Sequence, residues 1–248
     1  MNAVYILWKR EIIRYFRSRA RIVGSLGQPL LFLIALGFGL GPVFQRAGQG
    51  NYFEFLGPGV VSMGILFTGI FAGIQIIWDR QFGFLKETLV APVSRFEIML
   101  GKALGGATVA FMQGVFVFVL TLLLGVRISS LAFLPIALVS MFLIALFFTA
   151  LGIAIASLFE DMQGFQLVMN FVVQPTFFLS GALFPLSGVP KFLQLIASFD
   201  PLSYGVDAVR GAVTGQSHFG MGIDITVLVV LTFTVLAIGS YLFSKIEI

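Results

Sequence analysis

Six stretches of the chain, each about as long as a bilayer is thick, contain no Asp, Glu, Lys, Arg or His. They run approximately from Gly24 to Val43, Leu56 to Trp78, Leu104 to Gly125, Leu131 to Phe159, Gly164 to Phe184 and Ile225 to Phe243. A hydrocarbon core of roughly 30 Å takes about 20 apolar residues per helix. Inside it every backbone N–H and C=O must be bonded within the segment, which for single runs of this length means an α-helix. The expected fold is therefore all-α and integral to the membrane, with six transmembrane helices. Composition agrees: of 248 residues 58% are hydrophobic and 10% charged, too few polar groups to coat a soluble surface. The first run follows a basic segment as a signal peptide would, but it is longer than a usual signal core and more runs follow, so it reads as a retained span.

The remaining charges set an orientation. Eleven of the 15 Lys and Arg fall in the N-terminal segment, in the loop after the second run (Arg80, Lys86, Arg95, Lys102) and at Lys245. Cationic loops stay on the cytoplasmic side, so both termini and residues 79–103 and 160–163 are expected there, with 185–224 outside. This clustering beside apolar runs also argues against nucleic-acid binding, despite the excess of basic residues. Nothing resembling a linker divides the chain, so residues 1–248 read as one transmembrane domain.

Residues 1–22 are expected to form an amphipathic interfacial helix. At about 100° per residue, Arg10, Arg14, Arg17 and Arg21 share a stripe opposite Val4, Tyr5, Trp8, Ile12, Tyr15 and Phe16. The apolar face suits the acyl boundary; the arginines suit anionic headgroups or an acidic cytoplasmic partner.

The uncharged runs offer no ionisable group for proton or sodium coupling, which disfavours an ion-coupled carrier or channel. Gln75, Gln113, Asn170 and Gln174 inside the runs read as hydrogen-bonding glue between helices. There is no phosphate loop, no H-E-x-x-H and no G-x-S-x-G, and without cysteine no thiolate metal site exists. No catalytic residue, metal or cofactor is expected. His218, the single histidine, reads as a solvated loop side chain.

The loop at 79–103 is too charged to span and too apolar to be an idle linker. Phe84, Leu85, Thr88 and Leu89 follow helical spacing and Pro92 ends the helix, giving a short amphipathic helix on the cytoplasmic face. This segment, DRQFGFLKETLVAPVSRFEIMLGKALGG, resembles the loop after the second span in ABC-2 type permeases, the family of daunorubicin-type, nodulation-factor and polysaccharide exporters. A second stretch resembles the family around its fifth span and outer loop: PTFFLSGALFP at 175–185, Val189-Pro190, and DPLSYGVDAVR at 200–210.

The resemblance implies an export permease for an amphiphile (drug, lipid or glycolipid) or, alternatively, for a lipid-linked polysaccharide. It implies a cell-membrane location, two copies of a partner ATPase holding the ATP and magnesium, and a second permease copy, a homodimer by preference, with the path along their interface. It assigns ATPase coupling to Asp79, Arg80, Gly83, Phe84, Leu85, Lys86, Glu87 and Pro92. Pro185, Pro190 and Pro201 break the outer segment into short re-entrant helices. An outer gate is expected from Phe177, Phe178, Gly181 and Phe184 with those prolines and Tyr204, while Asp207 and Arg210, three apart, could pair on one helix face.

Overall fold

The computed structural model describes residues 3–48, 50–85, 90 and 92–246; of Arg21 it describes the backbone alone. Ten α-helices follow one another among these residues: α1 Ala3–Arg17, α2 Arg19–Arg46, α3 Tyr52–Gln81, α4 Arg95–Leu123, α5 Leu134–Leu158, α6 Met162–Val168, α7 Gln174–Leu179, α8 Lys191–Phe199, α9 Pro201–Thr214 and α10 Met221–Ser244. Helices α2, α3, α4, α5 and α10 are long and apolar enough to cross a membrane.

The fifth apolar run is not one regular helix. Between α6 and α7, Met169–Val173 form a π-helical turn, and Pro175 sits in the first turn of α7. Proline has no N–H to offer the preceding turn, and a π-bulge is a common way to absorb such a defect. The six expected transmembrane helices thus correspond to five long helices and one segmented element ending at Ser180.

Helix α3 is the centre of the bundle, packed by α5, α4, α2 and α9. Glycine sets its closest approach: a Cβ on Gly73 would overlap the Gly152 carbonyl, and one on Gly152 would lie 2.5 Å from the Ile70 oxygen. Backbones meet here because small residues allow dispersion contacts along the whole crossing. Helix α2 lies on the outside, with Leu31, Phe38 and Val43 exposed.

α1 has a protein partner as well as an apolar face. Its packed face holds Val4, Leu7, Trp8, Glu11 and Tyr15, laid on Gly101 and Gly105 of α4, where an added Cβ would come within 2.9 Å of Leu7 and 2.8 Å of Glu11. Tyr5 and Phe16, on the apolar face by periodicity, stay exposed, as residues suited to the acyl boundary would. Docking on α4, rather than on lipid alone, selects which apolar residues are covered.

Candidate coupling junction

The second and third long helices outrun their apolar stretches, and the extra turns carry the charges. Asp79, in the last turn of α3, is 4% exposed, and Lys102, in the second turn of α4, is 6% exposed. The Lys102 ammonium donates to the Asp79 carboxylate, Gln75 Nε2 donates to its other oxygen at 3.1 Å, and Arg10 of α1 approaches within 3.6 Å. One carboxylate therefore ties three helices, and its partners make the burial of its charge tolerable.

Neighbouring contacts gather the remaining helix ends at the same pole. Arg80 donates to the Glu160 carboxylate at 2.8 Å, and Gln81 Nε2 donates to the Glu160 carbonyl at 3.2 Å, joining α3 to the turn between α5 and α6. Arg95 Nη1 donates to the carbonyls of Ser244 and Ile246 at 2.7 and 2.9 Å, placing a cation at the C-terminus of α10, where the helix dipole favours one. Trp8 Nε1 donates to Thr108 Oγ1 at 3.0 Å, fastening α1 to α4. Ser94 and Glu97 form a reciprocal capping box that starts α4.

The loop itself leaves α3 through Gly83, whose φ of +80° suits glycine. Leu85 turns inward at 2% exposure, whereas Phe82 and Val90 stand out at 74% and 82%. Phe84 and Pro92 are also exposed. Lys86 and Glu87, with Thr88 and Leu89 of the expected short helix, lie outside the described residues, as does the Arg21 side chain. The cationic stripe of α1 is not uniform: Arg10 turns to Asp79, Arg14 lies 3.6 Å from Glu11, and Arg17 is exposed. Reading the sequence by runs overlooked Lys102, Glu160 and Arg95 as partners. One signal was present: Asp79 directly follows the second run and Lys102 closely precedes the third, opposite charges at the two mouths of one loop.

At the opposite pole, Asp207 and Arg210 form no ion pair within 4.0 Å, although their spacing allows one. Asp207 accepts from the Ser217 hydroxyl at 3.0 Å and from the His218 and Phe219 N–H groups at 2.8 Å, pinning the loop into α10. Arg210 donates to the carbonyls of Gly181 and Phe55 at 2.9 and 3.3 Å and lies 4.0 Å from the Phe55 ring centre. Burial lowers its pKa to about 10, with Asp207 pulling the other way, so it stays charged at neutral pH. Gly181 has the positive φ, +71°, that ends the segmented helix. Phe177 is 1% exposed and packs against Phe32 and Phe67, so its ring lines no surface; Phe178 is exposed and Phe184 half-buried. Pro185 and Pro201 are half-buried, Pro190 exposed. Tyr204 donates to the Ser198 carbonyl at 2.7 Å, closing the corner between α8 and α9.

The sequence profile of the ABC-2 type transporters matches residues 2–214. The chain belongs to the ABC-2 type transporter family. Among the relatives of this ABC-2 permease, the putative transport permease ycf38 of Cyanophora paradoxa is 28% identical over 264 residues, covering 99% of this chain and 89% of the relative. The ycf38 permease of Pyropia yezoensis is 33% identical over 222 residues, 85% of this chain and 73% of the relative. Nodulation protein J of Rhizobium leguminosarum bv. viciae is 28% identical over 228 residues, 90% and 84% of the two chains. The molecule is thus a transport permease rather than an enzyme, and in an ABC-2 permease the buried Asp79 cluster sits at the root of the loop after the second long helix.

Proposed function

We propose that this permease is the membrane subunit of an exporter, driven by ATP and magnesium held in two copies of a separate ATPase, and that it moves an amphiphile outward between two copies of itself. The observation that carries the reading is a polar stripe on the segmented helix. Gln163, Gln166, Asn170 and Gln174 recur every three or four residues and are all exposed, beside Leu167, Phe171 and Phe178. Gln166 donates to Asn170 at 3.2 Å, leaving amide capacity that lipid tails cannot satisfy. A second copy and a shared, partly wetted path can satisfy it, and alternating amides and phenylalanines suit a molecule with a polar head and an apolar body.

The driving subunit docks on the loop between α3 and α4, where Phe82 and Val90 protrude and Leu85 anchors the base. Movement there reaches α1, α5 and α10 through Asp79, Arg80 and Arg95. The positive-inside asymmetry supports a multi-pass arrangement in the cell membrane, with the segmented helix as the sixth crossing, both termini cytoplasmic, and α8 and α9 as re-entrant helices on the outer side.

Co-reconstitution with the ATPase encoded nearby tests this: ATP-dependent export of an amphiphile is expected, and a chain that neither binds nor stimulates an ATPase overturns it. Because the chain has no cysteine, Asn170→Cys is a single-cysteine protein; oxidation in membranes should give a cross-linked dimer, and a purely monomeric product would sink the shared path.

A further inference from the structure

The coupling junction does not use every polar group near it. Beside it, between α1, α2, α3 and α4, lies a cavity of about 360 Å³ whose wall includes Glu11, Tyr15, Phe71, Gln75, Trp78 and Gln113. Gln113 is part of the scaffold: it accepts from Thr68 Oγ1 and donates to the Ser25 carbonyl, both at 2.7 Å.

Glu11 is different. It is the sole acid of α1, turned toward Gly105 and the cavity with its side chain 16% exposed. Its carboxylate accepts no hydrogen bond among the described residues, and Arg14 Nη1 at 3.6 Å is beyond hydrogen-bond distance. Arg10, one position earlier, is engaged by Asp79. Gln75 spends its amide nitrogen on Asp79, and its oxygen has no donor among the described residues. A largely buried carboxylate without a donor calls for one.

Much of the remaining wall is apolar, with the rings of Tyr15, Phe71 and Trp78 beside Ala72, Ile74 and Val109. Phe71 and Trp78 are 45% and 37% exposed, so the cavity opens sideways through two rings on the outer surface of the bundle. A carboxylate, an amide oxygen and aromatic faces with a lateral opening form a receptor for a cation on an apolar body.

We infer that this cavity binds the ammonium head of a cationic amphiphile, with Glu11 as counter-ion and the tail passing between Phe71 and Trp78. The inference rests on the export reading above and adds to it a substrate class and a loading site within one subunit, apart from the shared path.

The chain supplies its own reporter. Of its two tryptophans, Trp8 binds Thr108 and Trp78 lines the cavity, so Trp8→Phe leaves one emitter at the site. The full chain in lipid nanodiscs is titrated with decylammonium, decyl maltoside and decyl sulfate, each below its micellar concentration. A saturable change in Trp78 emission is expected with decylammonium, at concentrations at least about tenfold lower than with the other two. Glu11→Gln should weaken it at least about tenfold, and Arg14→Gln should tighten it by removing the competing cation. Equal responses to the three heads, a linear unsaturable response, or indifference to Glu11→Gln each overturns the proposal. ATP-driven movement of decylammonium is measured on the same protein. Transport that ignores Glu11→Gln sinks this site and spares the export reading, whereas Glu11-dependent binding without any transport supports the site and sinks the export reading.

Discussion

Lys102 and Asp79 meet across the mouth of the loop that joins α3 to α4, and both side chains are almost wholly withdrawn from solvent. Removing one member of a buried pair strands the other charge, at a cost of about 3–5 kcal/mol, whereas removing both charges is often near neutral. Lys102→Met should therefore lower the unfolding midpoint sharply in detergent. The double variant Asp79→Asn/Lys102→Gln should be clearly more stable than Lys102→Met alone. A double variant as damaged as the single one would contradict this account.

The dock of α1 rests on Gly105. A leucine there must displace Glu11 and the Trp8 backbone, 2.8 and 3.4 Å from the first added carbon. Gly105→Leu should detach α1 while the rest of the bundle persists, and limited proteolysis in α1 should rise with little change in the α3–α5 contacts. Unchanged protease resistance would mean that α1 does not depend on this face.

Gly152 gives a harsher case. Its added Cβ would strike the Ile70 backbone, 2.5 Å from the carbonyl oxygen and 2.8 Å from Cα, and backbone cannot rotate away as a side chain can. Overpacking of this kind costs about 1–3 kcal/mol, sometimes more. Gly152→Val should lose more stability than Gly24→Leu, which enters open space, and a thermal-shift series ranks the two.

Asp200 caps α9 by accepting from Leu202 N–H at 2.9 Å. Burial raises its pKa from 3.8 to about 7, outweighing the hydrogen bonds from Leu202 and Ser203 that lower it. Because the folded pKa exceeds the unfolded one, the protonated acid is the form the fold prefers. That contribution is complete below about pH 4 and is lost as pH rises through about 7. Asn caps a helix as well as Asp does, so Asp200→Asn should match the parent near pH 4 and exceed it in stability at pH 8. A constant difference across that range would exclude Asp200 as the titrating group.

The sequence by itself determined the solvent and the class of structure. Runs of about 20 residues without a charge cannot be reconciled with water, and their lengths dictate helices. It also marked the loop at 79–103 and the proline-rich outer segment, because proline position and amphipathic spacing are local properties. What joins these pieces is not local. Asp79 reads as the end of a run, and only the crossing of α3, α4 and α1 shows that Lys102 and Arg10 meet it. Asp207 and Arg210 have the spacing of a pair, yet the 215–220 loop and the carbonyls of Gly181 and Phe55 compete for them and win. Tyr5 and Tyr15 are equally apolar by helical phase, but Gly101 and Gly105 present their groove to one side of α1 alone. Side-chain periodicity states which faces are apolar, while packing decides which partner each face receives.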